Sequence, residues 1–359
     1  MRSIYFCIQH YPNWRTGGHK FHSILYEYAI SKGYDAYVFG NTKIEDKYYK
    51  NKFIRIFYGL WNTFKIPSGA LILMTNASFL DYILPIILNK IFKRHKYFFI
   101  VHHLVQDEKP SSIFRKLLET QFVKLADGFI AVSETTKKRL QVLNLVEREI
   151  PVVSPGVDKN NFCQGSKVFP NKHKLLYVGT IERRKGLIDL IDALKFIEKF
   201  DYELNIIGEL IEDDYYKDIL NKIKAYKLDS NVNFLGRVSR DILSEYYLNS
   251  TVLVFPSHWE GYGMVVAEAL SFGLPVLVTK IPVFEELIEN GKHGLLFEVA
   301  DSKGIANLLR RVFDNSKELT IMSINALNKV NELYSWDETS EKVMKILENF
   351  MNENQEKGE

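Results

Sequence analysis

Cysteine is scarce in this sequence of 359 residues, which contains only Cys7 and Cys163. One lies in an apolar first strand and the other in a predicted linker, so the chain has neither a disulfide framework nor a cysteine-based zinc site. The sequence also has no hydrophobic run near the roughly 20 residues that a membrane-spanning helix needs. The apolar stretch from Ile4 to Ile8 is too short for a secretory signal peptide. We therefore expect a cytoplasmic protein from a reducing compartment.

Positive and negative charges nearly balance over the whole chain, which has a formal net charge of only +3. The balance hides an asymmetry: residues 1–150 contain 22 Lys and Arg against 12 Asp and Glu, and the remaining residues contain 25 against 32. A basic N-terminal half suggests an anionic partner for that half, and nucleic acid and membrane surfaces are the usual candidates. With 359 residues, of which 46% are hydrophobic, the chain can form two ordinary domains, and a charged fraction of 25% argues against disorder.

The most informative segment runs from Val252 to Val278 and predicts a strand, a glycine-containing turn, a helix and a second strand. Gly261 and Gly263 allow the backbone of the turn to approach a ligand closely, and the first amides of the helix suit a phosphate. Glu260 in the turn and Glu268 on the helix could accept hydrogen bonds from hydroxyl groups. A ligand that carries both phosphates and hydroxyls, such as a sugar nucleotide, fits this combination.

The same segment allows two other interpretations. It could be a surface loop, with Glu268 on a solvated helix face. It could also be a dinucleotide-binding fingerprint, but that motif requires a third glycine and an acidic residue at the end of the next strand. Position 266 is Val, and the next strand ends at Thr279 and Lys280. We therefore set the fingerprint aside.

Short apolar strands alternate with helical segments along the chain. The predicted strands of the first half are residues 4–8, 37–40, 54–57, 71–75, 97–101, 128–132 and 150–153, and those of the second half include 174–178, 204–208, 232–236 and 253–255. The alternation predicts a doubly wound parallel sheet. Its repetition after a turn and hinge at Ser154 to Asp158 predicts two similar domains.

Two pairs of residues in the first half directly follow predicted strands, where ligands bind in an open parallel sheet. Gly17 and Gly18 lie between the first strand and a helix from about Phe21 to Ser31, and a flexible turn is the alternative interpretation. His102 and His103 follow the strand YFFIV. A neutral imidazole there could bond a hydroxyl group, although a purely structural histidine is the commoner case.

Basic residues follow two strands of the second half. Arg183, Arg184 and Lys185 come after the strand that ends at Val178 and before a helix from about Leu187. Their position favours phosphate binding over a solvated basic cluster. Gly236, Arg237 and Val238 close another strand, where a nucleotide base could pack.

Together these segments resemble the family 4 glycosyltransferases, which have the GT-B fold. The resemblance covers most of the chain and is strongest from Lys174 to Asp301. Its motifs are the glutamates eight residues apart in EGYGMVVAEALSFGLPV, the phosphate loop VGTIERRKG, the strand and helix of FIAVSETTKKRL, the hinge SPGVD and the N-terminal Gly-Gly loop. The set is specific, whereas each member alone would be weak.

The resemblance implies an α/β protein with two Rossmann-like, doubly wound domains facing a central cleft. Residues 1–155 would form the acceptor domain and residues 156–335 the nucleotide-sugar donor domain. A helix in residues 336–359 would cross back to the N-terminal domain, and we expect it to reach about Phe350 before a disordered tail.

The resemblance also implies roles for individual residues. Glu268 would bind the ribose, Lys185 the diphosphate, and His102 would lie near the transferred sugar. We predict that Glu260, Lys185 and His102 are catalytic, and that the donor is bound by Gly17, Gly18, Arg183, Arg184, Lys185, Arg237, Val238, Glu260, Gly261, Tyr262, Gly263, Met264 and Glu268. Two positions depart from the family. Thr180 stands where an arginine often follows the first glycine of the phosphate loop, and His103 stands where an Asp often follows the histidine.

The implied activity is that of a retaining hexosyltransferase, which moves a sugar from a UDP- or GDP-sugar to a hydroxyl acceptor in polysaccharide or glycolipid synthesis. We expect no cofactor and no metal, because the sequence has no Asp-X-Asp triplet and no His/Cys cluster. A sugar-nucleotide epimerase or a phosphorylase of the same fold is one alternative. A non-catalytic nucleotide-sugar-binding protein is another.

The stretch from Lys47 to Lys65 combines five basic and seven aromatic residues with no acid, and Lys90 to Lys96 add four basic residues. Such a stretch could bind single-stranded nucleic acid, or its aromatics could be core and its lysines solvated. With a glycosyltransferase site in the same chain, we favour an anionic membrane surface over nucleic acid as partner. The protein would be peripheral on the inner face of the cell membrane, with a lipid-linked or saccharide acceptor.

Overall fold

The computed structural model describes residues 3–8, 17–40, 52–75, 79–104, 113–143, 149–159, 167, 169–170 and 172–356. Cys163 and the first part of the basic stretch, residues 47–51, lie outside these ranges. The chain divides into two compact units. Unit 1 is formed by residues 1–156 and 336–359, and unit 2 by residues 157–335.

Unit 1 is built on a five-stranded parallel sheet with the order β2-β1-β3-β4-β5. Its strands are β1 (Ile4–Cys7), β2 (Ala36–Phe39), β3 (Leu71–Thr75), β4 (Lys96–Val101) and β5 (Gly128–Ala131). The chain moves one way from β1 to β2 and the other way from β2 to β5, so the sheet is doubly wound. Residues of β3 and β4 are buried on both faces, as expected for a parallel sheet covered by helices.

Helices connect the strands of unit 1. In chain order they are α1 (Gly17–Ser31), α2 (Lys52–Lys65), α3 (Phe79–Phe92), α4 (Ile113–Lys124) and α5 (Glu134–Val142), and the C-terminal α13 (Trp336–Glu356) packs on α1. Ser133 caps α5, because its hydroxyl accepts a hydrogen bond from the Thr136 amide at 3.1 Å.

Four sequence predictions in unit 1 are wrong. Residues 54–57 are helical within α2, because the apolar positions over the longer window repeat at helical rather than alternating spacing. α1 begins at Gly17, four residues earlier than expected. Residues 150–153 form only an isolated bridge, between Ala131 and Val152. α13 extends to Glu356, past the predicted end at Phe350.

Unit 2 contains a six-stranded parallel sheet with the order β11-β10-β9-β6-β7-β8. Its strands are β6 (His173–Val178), β7 (Tyr202–Ile207), β8 (Val232–Gly236), β9 (Val252–Phe255), β10 (Val276–Thr279) and β11 (Gly294–Phe297). The strand order reverses between β6 and β9, which are direct neighbours. In doubly wound sheets such a switch point marks the crevice where ligands bind.

The helices of unit 2 cover both faces of this sheet. They are α6 (Leu187–Leu194), α7 (Asp213–Ala225), α8 (Arg240–Asn249), α9 (Met264–Ser271), α10 (Pro282–Leu287), α11 (Ser302–Asp314) and α12 (Ser316–Val330). A continuous apolar core joins the strands to these helices, and β9 and β10 are completely buried. This rigid core fixes the positions of the loops that leave the carboxyl ends of the strands.

Candidate active site

The loops that follow β6 and β9 meet at the switch point of unit 2. The backbone amide of His258 donates to the carbonyl oxygen of Arg184 at 2.8 Å, which ties the second loop to the first. Gly186 lies in the left-handed region, with φ of 65°, and a Cβ there would come within 2.1 Å of the Pro256 carbonyl oxygen. Only glycine allows the two loops to approach so closely.

A buried ion pair lies where these loops meet. Lys185 Nζ is 2.5 Å from Glu260 Oε1, and the two side chains are only 12% and 11% exposed. The Ser257 hydroxyl donates to the same carboxylate oxygen at 2.8 Å. Lys185 also lies 5.0 Å from the ring centre of Phe255. Two residues predicted from separate motifs are therefore in direct contact.

Arg184 joins this pair, whereas Arg183 points elsewhere. Arg184 lies 3.4 Å from the Glu260 carboxylate and stacks 4.5 Å from the ring centre of Trp259. Arg183 is 60% exposed and pairs with Asp218 at 3.1 Å. The structure thus places the guanidinium of Arg184, and not that of Arg183, in the buried cluster.

Thr180 contributes indirectly at the position where the family often has arginine. Its hydroxyl donates to Glu182 at 2.7 Å, and Glu182 in turn pairs with Arg184 at 2.8 Å. The threonine therefore helps to hold the carboxylate that orients the arginine.

Burial and neighbouring charges act in opposite directions on the buried pair. Burial lowers the pKa of Lys185, although Glu260 opposes this shift. Burial alone would raise the pKa of Glu260, but Lys185 and Arg184 more than compensate and hold this pKa below its usual value. Glu260 is therefore an anion at neutral pH.

The turn before α9 presents backbone amides. Gly263 precedes the helix with φ of 88°, and no side chain caps the helix N-terminus. A Cβ at Gly263 would lie 2.4 Å from the Phe284 ring. Because the first amides of α9 receive no side-chain cap, they are suited to an anionic or hydroxyl-bearing ligand. Of the predicted amides, that of Met264 belongs to this helix N-terminus, whereas Gly261 and Tyr262 precede it in the turn.

Glu268 lies one turn further along α9. The hydroxyl of the buried Tyr247 donates to its Oε2 at 3.3 Å. Burial, followed by the charge of Glu268, raises the pKa of Tyr247 well above its ordinary value, so this phenol stays protonated as a donor. Tyr247 therefore holds the Glu268 carboxylate in one orientation.

Arg237 and Val238 lie just past β8. The Arg237 guanidinium is 51% exposed and 3.7 Å from Glu209. Val238 is half-buried against the core of unit 2. The structure places these residues at the edge of the sheet but not among the buried charges.

Unit 1 brings together two other predicted residues. A Cβ at Gly18 would lie 3.5 Å from the His102 ring, so the histidine packs directly on the first turn of α1. His22 lies beside it, with 5.8 Å between ring centres, and Phe21 packs edge-on at 5.5 Å. Burial, and then the neighbouring His19, lowers the pKa of His102 to about 4. His102 is therefore neutral at physiological pH and can both donate and accept.

Sequence reasoning missed several side chains that position the charged groups. Ser257, Trp259 and Tyr247 each contact a predicted site residue, and His258 pairs with Asp189 at 2.7 Å. Ser257, His258 and Trp259 directly precede Glu260, so their closeness in sequence was an available signal. Tyr247 lies on α8, and no local pattern links it to Glu268.

No metal site is evident in the described ranges. Within them, no three His, Cys, Asp or Glu side chains are grouped so that they could hold a metal ion. Cations near the switch point come instead from Lys185 and Arg184.

Two family models match consecutive parts of the chain. The model for glycosyl transferases group 1 matches residues 158–329, and the model for Glycosyltransferase Family 4 matches residues 74–161. Together they span more than two thirds of the 359 residues. The chain belongs to the group 1 and family 4 glycosyltransferases.

Individual proteins agree with this family. The capsular polysaccharide biosynthesis glycosyltransferase CapM of Staphylococcus aureus is 28% identical over 256 residues, which cover 67% of this chain and 66% of that protein. Sucrose-phosphate synthase of Thermosynechococcus elongatus superposes with a TM-score of 0.83 at 19% identity, over 98% of this chain and all of that one. HepE of Anabaena in complex with UDP-glucose gives a TM-score of 0.76 at 18% identity, over 97% of this chain and all of HepE.

These structural similarities establish the GT-B fold, as the sequence resemblance implied. The matched region spans between 38% and 66% of the lengths of the first four curated relatives. The family is therefore that of the glycosyltransferases, whereas the reaction, the donor and the acceptor of this chain are proposed from the geometry of its site.

Proposed function

We propose that this glycosyltransferase is a retaining hexosyltransferase that uses a nucleotide-diphospho-sugar as donor. The observation that carries the proposal is the buried cluster of Lys185, Arg184 and Glu260 beside the uncapped N-terminus of α9. Two cations and a row of amides suit a diphosphate, and a buried carboxylate suits sugar hydroxyls. HepE, a structural neighbour, has been crystallised in complex with UDP-glucose.

The proposed reaction breaks the bond between the anomeric carbon and the diphosphate oxygen. Negative charge then develops on the departing diphosphate, where Lys185 and Arg184 lower the barrier by stabilising it. The acceptor oxygen attacks the anomeric carbon from the same face, and its proton passes to the departing phosphate oxygen. The products are a glycoside of unchanged anomeric configuration and a nucleoside diphosphate.

Other residues of the site would bind rather than stabilise the departing charge. In this proposal Glu268, oriented by Tyr247, accepts from the ribose hydroxyls, and the base packs near Arg237 and Val238. Glu260 and the amides before α9 hold the transferred sugar. The sequence resemblance also assigns Gly17, Gly18 and His102 to the donor, and within unit 1 the His102 ring packs on Gly18. No metal and no cofactor take part in the proposed step.

The proposed acceptor is a saccharide or a lipid-linked sugar at the cytoplasmic face of an anionic membrane. CapM, whose name refers to capsular polysaccharide synthesis, is a relative in keeping with this role. The chain's own basic and aromatic stretch, residues 47–65, gives independent support.

A donor screen followed by a product assay tests the proposal. The protein is first incubated with UDP-, GDP- and ADP-sugars, and we expect one nucleotide class to raise its melting temperature. The stabilising donor is then incubated with and without lipid-linked and saccharide acceptors, and products are identified by mass spectrometry. Transfer that requires an acceptor supports the proposal. Conversion of the donor alone would indicate an epimerase, and binding without any turnover would indicate a nucleotide-sugar-binding protein.

A further inference from the structure

Exposed apolar side chains are concentrated on three consecutive helices of unit 1. Half of the large hydrophobic residues that are exposed in the described ranges lie on α2, α3 and α4. They are Phe57, Trp61, Phe64, Leu84, Ile87, Ile91, Phe92, Ile113, Phe114 and Leu117. We call this set the apolar face. Several members are well over half exposed, including Phe57 at 65% and Ile91 at 68%.

Topology places the three helices on one side of the sheet. Each connects strands in the direction from β2 toward β5, and right-handed crossovers in one direction put their helices on the same side. α3 contacts both α2 and α4. The approach of α2 to α3 is close, since a Cβ at Gly59 would lie 2.3 Å from the Asp81 carbonyl oxygen. The exposed residues therefore form one layer rather than three separate patches.

Spacing along each helix strengthens this conclusion. Phe57, Trp61 and Phe64 are four and three residues apart on α2, so they occupy one helical face. Leu84, Ile87 and Ile91 repeat in the same way on α3. On α2 and α3 these residues therefore form an apolar stripe that faces outward. Surface helices of a monomer normally carry polar residues on the outer stripe.

The only charges exposed on these helices are positive. α2 contains no acidic residue, and the single acids of α3 and α4, Asp81 and Glu119, are buried. Exposed basic residues of these helices and of the turn after α3 are Lys65, Lys90, Lys93, Arg115 and Lys124. Of these, Lys90 pairs with Asp127 at 3.1 Å. An apolar layer with basic and no acidic exposed side chains is complementary to an anionic surface.

Basic and aromatic side chains are also paired at this face. Lys65 Nζ lies 4.9 Å from the Trp61 ring centre, and the Arg94 guanidinium lies 5.6 Å from that of Phe64. Tryptophan and long basic side chains of this kind favour the level of the lipid headgroups, where the ring is partly apolar and the cation remains hydrated.

A small pocket opens between α2 and α3 at the same place. Its lining is mostly apolar, with Leu60, Phe64, Leu88 and Phe92, and Arg94 adds a cation.

We infer that the apolar face of α2, α3 and α4 inserts into the headgroup region of an anionic bilayer and holds the protein at the membrane without a spanning segment. A protein partner is the weaker match, because the centres of protein interfaces are depleted in lysine. A mixture of Trp, Phe, Leu, Lys and Arg on one helical layer is typical of interfacial binding. The inference deepens the proposed function, since it assigns the surface that brings the enzyme to a lipid-linked acceptor.

Vesicle co-sedimentation with the full chain tests the inference. Vesicles of phosphatidylcholine alone are compared with vesicles that also contain phosphatidylglycerol, at low and high salt. We expect binding to rise with anionic lipid and to fall with salt. On addition of anionic vesicles, the fluorescence of Trp61 should shift to shorter wavelength, and the Trp61→Phe variant should lose that shift.

Two pairs of test variants, each with a matched control pair, distinguish the effect of this face on vesicle binding from general effects of changed charge or hydrophobicity. Lys65→Glu with Lys93→Glu should weaken binding to anionic vesicles by roughly tenfold or more, whereas Lys217→Glu with Lys280→Glu, two exposed lysines of unit 2, should change it less than twofold. Phe57→Ser with Ile91→Ser should weaken binding similarly. Ile321→Ser with Ile324→Ser, an exposed pair on α12, serves as its control.

The outcomes are distinguishable from those of the donor test. Equal recovery in the supernatant with neutral and anionic vesicles at low salt would overturn the inference, and so would equal effects of the test and control pairs. A dimer in light scattering that Phe57→Ser with Ile91→Ser abolishes, without vesicle binding, would assign the face to a second copy and overturn the membrane proposal. Stabilisation by the donor, measured on the same variants, reports the glycosyl-transfer site separately.

Discussion

One oxygen of Glu260 receives a lysine, an arginine and a serine hydroxyl in the described structure. A buried carboxylate with two cationic partners is well compensated, and the same cations are then available to a diphosphate that enters beside them. Donor binding would redistribute these contacts from the carboxylate to the phosphates, leaving Glu260 for sugar hydroxyls. We therefore expect the few side chains of this cluster to contribute most of the free energy of binding the diphosphate and the sugar.

The two neighbouring arginines should behave differently. Arg184→Ala should lower kcat/KM by roughly tenfold or more, because it removes a cation from the buried cluster. Arg183→Ala, the matched control, should change it less than twofold, because that side chain is largely exposed and paired with surface acids. Steady-state kinetics with the identified donor measures both. Equal losses would contradict the assignment of Arg184.

The two glutamates should also differ. Glu268→Gln should mainly weaken binding of the nucleotide, because the ribose would lose a charged acceptor. Glu260→Gln should lower kcat and leave the affinity for the bare nucleoside diphosphate nearly unchanged. Calorimetric titration of the bare diphosphate, alongside kinetics, separates the two effects. The roles are wrong if both variants lose affinity for the bare diphosphate equally.

At the scale of elements, the turn before α9 depends on the backbone of one glycine. Gly263→Ala should destabilise unit 2, because φ of 88° is strained for alanine by about 1–2 kcal/mol and the added Cβ would meet the Phe284 ring. Gly69→Ala is the matched control, since Gly69 has the same φ and nothing within 4 Å. Thermal unfolding should show a larger loss for Gly263→Ala. Equal losses of thermal stability in the two variants would mean that the contact with the Phe284 ring does not contribute.

The sequence was informative about elements whose signals are local. The helix after Leu187, the α9 turn and the strands β6 to β10 were predicted because glycine positions and apolar runs lie within a few residues of each other. The strand β11 was not predicted. The helix α2 was not predicted, because the short apolar segment from Ile54 to Phe57 resembles a strand. Only the longer window shows apolar residues at helical spacing. The start of α1 was missed because glycine usually signals a turn, although here Gly18 allows the His102 ring to pack against the helix.

Site details that depend on tertiary contacts were beyond sequence reasoning. Nothing in VGTIERRKG decides between Arg183 and Arg184, since the choice depends on where Trp259 and Asp218 lie after folding. The link between Tyr247 and Glu268 joins two helices and leaves no spacing signal. The pairing of Lys185 with Glu260 follows from the neighbouring positions of β6 and β9, which strand prediction alone does not provide.

At the scale of the whole molecule, buried histidines make stability depend on pH. Burial lowers the pKa values of His95 and His102 from 6.5 to about 4. The unfolded chain therefore binds more protons than the folded one between about pH 6.5 and 4, so stability falls as the pH drops through this range. The midpoint of urea unfolding should decrease accordingly, and His95→Asn should make the decrease smaller. An unchanged slope in that variant would contradict the burial argument for His95.

The proposed association with membranes also concerns the whole molecule. Among the described residues, no helix is both long and apolar enough to cross a bilayer. In our proposal, the apolar face and its basic residues provide a different route, in which binding depends on lipid charge and salt. Such binding would be reversible, and it would leave the donor site of unit 2 chemically unchanged.

The central claim is that Lys185 stabilises the charge that develops on the departing diphosphate, and one measurement tests it most directly. The rate of glycosyl transfer from the identified donor is compared between the wild-type protein and Lys185→Ala, with melting temperatures as the control for folding. We predict a loss in kcat of more than roughly tenfold, with both proteins folded. A Lys185→Ala variant that transfers the sugar at the wild-type kcat would contradict the account.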